Sequence, residues 1–325
     1  MHPIKCFIGV IAGFLLVAPF PAAAQDKWPS KIVRIVVPFA AGGSTDLIAR
    51  QIAQDLGERI KGTVIVDNRP GAGGTIGSEY VSKLPADGYT LLMGSVSTHA
   101  VAPSIYAKLR YDPIKDFTPL TMVATIPNVM VVHPSLPVNS VKELVELSKK
   151  QPGSISFASN GNGTSNHLAA ELFKNAAGVQ MVHTPYKGSG PAMLDLLGGH
   201  VNMMLDVIMT SYPGIKNGKL KALAVTSPGR SSLLPDVPTV AESGYPGFEA
   251  IVWFGLFAPP HMPPALQTRI SNDLIAVLQS KKMKDYLNEQ GAQVTANTPA
   301  QFSDAIAVDI VKWQKVVKAA GLVPE

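Results

Sequence analysis

Cysteine is almost absent: Cys6 is the one thiol in the 325-residue chain, and it lies in the first apolar stretch. Beyond that stretch, disulfide bracing, a thiolate nucleophile and a cysteine metal site are excluded. Charge is sparse too, at 16% of residues, and aromatic side chains make up only 7%. The densest basic runs, Lys149-Lys150 and Lys281-Lys282, sit in helical patterns with no interleaved aromatics. The net charge of +5 therefore describes a mild field favouring anions, and no nucleic-acid partner is expected. There is no G-x-S-x-G elbow and no Walker loop. His167 and Glu171 share a helix face, but no second ligand pair accompanies them, so neither a metal nor another cofactor is expected.

The longest apolar run is at the N-terminus. Lys5 precedes Phe7–Ala18, which is too short to span a bilayer, and Ala22-Ala23-Ala24 fits a small-residue cleavage site. Residues 1–24 read as a signal peptide, with the mature chain beginning near Gln25. The expected location is the periplasm, with no membrane-embedded segment once the peptide is removed.

The remaining 300 or so residues exceed one comfortable core. Strand and helix signals alternate along them. Ile32–Phe39 reads as a buried strand, and Leu47, Ile48, Ile52, Leu56 and Ile60 form the apolar stripe of a following helix. Further strands are expected at Val64–Asp67, Tyr89–Gly94, Asn128–His133, Ser154–Ser159, Met181–Tyr186, Val201–Asp206 and Lys221–Thr226. Helices fit between them at Ser140–Lys150, Ser165–Ala177 and Pro191–Leu197, and long amphipathic helices close the chain after the Pro-rich break at 259–264. This rhythm predicts an α/β protein with doubly wound, mostly parallel sheets. Phe117–Val132 and Phe248–Ala258 read as crossings between two lobes, which divides the chain into 25–124 plus 252–325 and 125–251. Parallel sheets bind ligands beyond the carboxyl ends of their strands, so strand-to-helix loops should line the cleft.

Four such loops carry candidate chemistry. In Phe39–Asp46 two glycines allow close backbone approach, Ser44 and Thr45 offer hydroxyls, and a helix N-terminus favours an anion. Asp46, in the first helical turn, complements the dipole, so a structural use is expected ahead of catalysis. Ser159–His167 repeats the pattern with Ser159, Gly161, Thr164 and Ser165. Tyr186–Ala192 brings Tyr186 and Lys187, and Gly94–Ala100 brings Ser95, Ser97 and Thr98. The run Gly71–Gly77 misses the dinucleotide spacing by one residue and reads as a tight turn near the cleft.

Taken together, PFAAGGSTDLIAR, VIVDNRPGAGGTIGSEYV, PADGYTLL, FASNGNGTSNHLAAELF, TPYKGSGPAMLDLLGGHV and KLKALAVTSPGRSSLLPDVPTVAESGYPGFE resemble the Bug family, the extracytoplasmic solute receptors of tripartite tricarboxylate transporters. The resemblance spans nearly the whole mature chain in order. It implies a two-lobed Venus-flytrap fold, a small organic acid as ligand, membrane permease subunits as partners and a monomeric receptor. It also implies carboxylate contacts from Phe39, Gly43, Ser44, Thr45 and Asp46 in one lobe, and from Ser159, Gly161, Thr164, Ser165 and Asp206 in the other. Many members have proline where Ala40 or Ala41 stands here. Two other functions suit the same cleft: a sensor signalling to a membrane kinase, and a periplasmic enzyme acting on organic acids, the latter without a matching motif. N-terminal sequencing of the exported protein should begin at Gln25, and reductant should leave the mature chain's unfolding transition unchanged.

Overall fold

The computed structural model of the protein describes residues 28–319; the expected signal peptide lies outside them. In chain order, β1 (Val33–Val37) leads into α1 (Ser44–Ile60), β2 (Val64–Asn68), a 3-10 turn (Ala72–Gly74), α2 (Thr75–Ser82) and β3 (Thr90–Ser95). A π-helical turn (Ser97–Val101) and the one-turn α3 (Ala102–Ile105) precede the long β4 (Thr118–Val132). Next come α4 (Val141–Lys150), β5 (Ser156–Ser159), α5 (Ser165–Ala177), β6 (Val182–Pro185) and α6 (Ser189–Leu197). They are followed by β7 (Met203–Val207), α7 (Ile208–Lys216) and β8 (Lys221–Val225). After an irregular stretch the chain forms β9 (Ile251–Ala258), α8 (Pro264–Gln279), α9 (Lys281–Glu289), β10 (Gln293–Val294) and α10 (Pro299–Ala319).

The apolar run of β1 is buried nearly throughout, as a central parallel strand flanked by helices requires. On α1, Ile48, Ile52 and Leu56 recur every fourth residue and are fully buried. Leu47, expected in that stripe, is 37% exposed instead: one position earlier on the helix, it faces away from the sheet. The sequence reading also missed α7 and the π-helical turn with α3, whose short lengths leave too few residues to show a period.

Two sets of strands pair in parallel, β2-β1-β3 and β6-β5-β7. Between them the sheet turns antiparallel. β3 pairs with β9, β9 pairs with Thr118–Pro127 of β4, and Asn128–Val132 of that same strand pairs with β7 and β8. The architecture is thus two α/β lobes sharing one long strand, with a mixed rather than purely parallel sheet. One strand carries the chain out and another brings it back, so these two must run in opposite senses. The change of partners falls at Pro127, which has no N–H to give to a ladder.

Beside Pro127, the two crossings are tied together by side chains. Asn128 donates its backbone N–H to Thr226 Oγ1 at 2.9 Å and its Nδ2 to the Ala250 carbonyl at 2.9 Å. Thr226 Oγ1 donates to the same carbonyl at 2.7 Å. Along β4 the side chains alternate between two cores: Val129 and Val131 join the larger cluster, Met130 and Val132 the smaller one behind the second sheet. The strand therefore contributes to both clusters.

The closing helix α10 returns to the first sheet. Phe302, fully buried, meets the Trp253 ring edge-on at 5.5 Å and Phe257 at 4.9 Å. It fits because residue 255 is glycine; a Cβ there would overlap the Phe302 ring. Trp253 Nε1 donates to Asp309 Oδ2 at 2.6 Å, fixing the helix's orientation. Phe302→Ala should lower unfolding stability by about 3–5 kcal/mol, read as a shifted urea midpoint, with the slope retained if the rest of the core holds.

Candidate functional site

The β1–α1 loop is organised by a carboxylate. Asp46 Oδ2 accepts the Gly42 N–H at 3.0 Å and Arg50 Nε at 2.9 Å, while Asn68 Nδ2 donates to Asp46 Oδ1 at 2.9 Å. The same Asn68 amide reaches the Phe39 carbonyl at 3.1 Å. Gly42 takes φ +82 inside this turn, a conformation suited to glycine. Burial alone would raise the pKa of Asp46, but the hydrogen bonds from Arg50, Gly42 and Asn68 outweigh it and hold the carboxyl below its ordinary 3.8. Asp46 was grouped with the ligand contacts; the structure gives its two oxygens to the loop and the helix.

The loop ends in a helix start with no side-chain cap. Gly43 occupies the N-cap, and the first helical bond runs from Leu47 N to the Gly43 carbonyl at 3.0 Å. The N–H groups of Ser44 and Thr45 precede that bond, so the helix supplies them no acceptor. Both residues are buried. Donors and the positive end of the dipole are thus concentrated at a largely buried point.

The opposing β5–α5 loop is finished differently. Thr164 Oγ1 donates to the Gly161 carbonyl at 2.8 Å and accepts the His167 N–H at 3.4 Å, so this helix is capped internally. Ser159 Oγ accepts the Gly161 N–H at 3.1 Å and bonds His183 Nε2 at 2.6 Å. His183 stacks on His167 at 3.9 Å and on Phe157 at 4.8 Å. Burial, then His167 and Lys174, push its pKa down to about 3. A serine beside a neutral histidine has the outline of a nucleophile and base, but Ser159 is fully buried and its hydroxyl braces the Gly161 turn. Among the described residues no group of three His, Cys, Asp or Glu side chains is placed to hold a metal.

The two lobes touch along their loops. Ala40 N donates to the Lys187 carbonyl at 2.9 Å, and Tyr106 Oη donates to the Asn162 carbonyl at 2.7 Å. Ser97, from the loop after β3, accepts the Ser165 N–H at 3.0 Å and donates to Ser165 Oγ at 3.1 Å. The backbones approach so closely that a Cβ at Gly190 would overlap the Ala41 carbonyl, and one at Gly73 would come within 2.6 Å of the Asn162 carbonyl. This is a closed arrangement. At its seam lies a cavity of about 190 Å³ lined by Phe39, Gly73, Asn160, Asn162, Tyr186 and Lys187. The Gly71–Gly74 segment, read as a turn near the cleft, forms part of that wall.

Of the remaining expected residues, Ser95 has a buried Oγ with no partner among the described residues. Tyr186 turns its hydroxyl to Asp195 Oδ2 at 2.6 Å, and burial plus that carboxylate push its pKa up to about 12. Asp206 is fully buried and accepts from Ser189 Oγ, from Thr210 Oγ1 at 2.6 Å and from Asn166 Nδ2 at 3.1 Å. Burial raises its pKa despite those bonds. Asn68 and Tyr106 belong to this site and were not anticipated. A lone Asn at a strand end and a lone Tyr in a loop carry no local signal.

Two α/β lobes on a shared strand, closed over a buried helix N-terminus, define the periplasmic-binding-protein class. The tripartite tricarboxylate transporter receptor family matches residues 48–322. Protein BugT of Bordetella pertussis is 39% identical over 316 residues, covering 97% of this chain and 97% of its own. The structure of Rpa4515 from R. palustris with adipate superposes with a TM-score of 0.89 at 38% identity, covering 92% of this chain and 100% of the other. MatC (Rpa3494) from Rhodopseudomonas palustris with bound malate gives 0.86 at 31% identity, covering 89% and 100%. The chain belongs to the tripartite tricarboxylate transporter receptor family, the Bug proteins.

Because the folded pKa of Asp46 is depressed, its contribution to stability is fully present above the unfolded value near 3.8 and is lost as pH falls through the folded one. Asp46→Ala should cost about 1–3 kcal/mol at neutral pH and flatten the acid limb of the stability curve, measured by denaturant titration from neutral pH down to strongly acidic conditions.

Proposed function

We propose that the protein captures a small carboxylate in the closed seam and delivers it to the membrane permease of a tripartite transporter. The observation that carries this reading is the α1 N-terminus, which has no side-chain cap and whose first two residues, Ser44 and Thr45, are buried. A carboxylate supplies acceptors to the first N–H groups of the helix, and its charge is complementary to the helix dipole. The solved relatives Rpa4515 and MatC hold adipate and malate, both carboxylates, which supports the same ligand class here.

The two lobes correspond to 25–124 plus 252–325 and to 125–251, with the hinge where Asn128, Thr226 and Ala250 join. Ligand binding shifts the lobes toward closure, since only the closed form surrounds the anion with both loops. In this reading Phe39, Gly43, Ser44 and Thr45 hold the carboxylate directly, Ser95 and Ser165 complete the far side, and Gly161 and Thr164 keep the opposite loop in shape. Asp46, Tyr186, Ser159 and Asp206 position those groups through the bonds described above. The solute is held without being transformed, by a monomer released into the periplasm from its signal peptide.

A thermal-shift screen of carboxylic acids should find at least one that stabilises the protein by about 2.7 kcal/mol at 100 times its dissociation constant. Replacing Ser44 and Thr45 together with Ala should then weaken that ligand roughly ten- to hundredfold in calorimetry. Unchanged affinity would show that the carboxylate sits elsewhere.

A further inference from the structure

A second cavity, of about 440 Å³, lies against the crossing strands and shares no residue with the one at the seam. Pro127 and Ile251 of the crossings line it, with the Ser227–Ser232 loop after β8 and with Asn288 and Gln293 of the α9–β10 turn. β8 pairs with Val129–Val132 of β4, and β10 with Ala124 and Thr125. The cavity is therefore bounded by both lobes and by the strands that join them. The lobes also meet at its edge. A Cβ at Gly291, which lines the cavity, would come within 2.7 Å of Ile208 Cγ2 and 2.9 Å of Leu233 Cδ1.

Among the described residues that line it, Arg230 carries the one charged side chain, and no carboxylate faces it. The guanidinium is held by groups outside the lining. Its Nε donates to Glu242 Oε2 at 3.0 Å and its Nη1 to the Pro235 carbonyl at 3.2 Å. Glu242 is itself fixed by a reciprocal pair with Thr239. Its Oε2 accepts the Thr239 N–H at 2.8 Å, and its own N–H reaches Thr239 Oγ1 at 2.9 Å. These bonds use Nε and Nη1 and orient the planar group, with Nη2 as a further donor. Ser231 Oγ accepts the Leu233 N–H at 3.3 Å, so its proton is available to a guest. Asn288 and Gln293 bring amide donors from the opposite lobe. A fixed cation, hydroxyl and amide donors and no acid in a recess of this size suit a small oxyanion. We propose that the cavity is a second ligand site, taking such an anion on Arg230. Because Arg230 stands on one lobe and Asn288 and Gln293 on the other, an anion held between them favours the closed arrangement. That coupling rests on the closure reading above; the site itself does not.

Calorimetric titration of the mature protein with inorganic phosphate and with sulfate, each against sodium chloride at equal ionic strength, tests the site without a cleft ligand. At least one of the two should bind. Arg230→Gln should weaken it roughly tenfold or more, and Asn288→Ala with Gln293→Ala, both exposed and on the opposite lobe, should weaken it as well. Ser44→Ala with Thr45→Ala should leave it unchanged. Saturating anion should then tighten binding of the acid found by thermal shift by about threefold or more, and the acid should tighten the anion by the same factor. Binding of neither anion would overturn the second site and leave the carboxylate reading standing. So would anion binding that Arg230→Gln retains and the Ser44 and Thr45 variant loses, which would place the anion in the cleft. Anion binding at Arg230 with no effect on the acid would overturn the coupling alone.

Discussion

A helix that begins inside a protein, with glycine where a capping side chain usually stands, leaves backbone donors that must find an acceptor elsewhere. In α1 those donors belong to Ser44 and Thr45, and the rest of the molecule is arranged around them. The parallel strands of the first lobe bring the helix start to the sheet's ligand-binding edge. Asp46 and Asn68 fix the shape of the preceding loop. The second lobe then covers them. An anion bound there loses water but gains several aligned dipoles, and the exchange favours binding because those dipoles are already ordered.

The contrast between the two helix starts assigns them different work. α5 spends Thr164 on its own cap, and its first amide is taken by Ser97 from across the seam. Its loop therefore shapes the closed face and holds the lobes together. Tyr106 to Asn162 and Ala40 to Lys187 add further direct bonds between the lobes. In the closure proposed above, these protein-protein bonds lower the cost of reaching the closed state and the ligand supplies the difference.

Much of this was legible along the chain because it is local. A buried run before Pro38, a glycine pair and a helix stripe mark β1 and α1. Ser165–Ala177 was bounded correctly because a hydroxyl-rich start and Gly178 enclose a regular apolar period. The leading glycine loops of both lobes were legible for the same reason. What escaped is non-local or short. Asn68 acts on Phe39 and Asp46 through tertiary contact, Ser97 was named as a loop candidate but its bond to Ser165 was not, and α7 and the π-helical turn are too brief for periodicity. Tyr186 was named from its residue type and Asp206 from the family resemblance. Neither shows that the tyrosine hydroxyl bonds Asp195 or that the aspartate accepts from Ser189, Thr210 and Asn166, because those partners meet only in the folded lobe.

The sequence alone determined the alternation of strands and helices, the absence of thiol chemistry and the positions of loops able to receive an anion. Each follows from short-range preferences: apolar periodicity, glycine's access to positive φ, and the unpaired amides of a helix start. Only the tertiary structure decided which of those loops face each other, which helix start stays uncapped and which buried oxygens lack a donor. Hydrogen-bond saturation is settled by neighbours distant in sequence. Asn160 and Asn166 are six residues apart, yet the direction of their amides is set by the carbonyl of Leu205 on another strand.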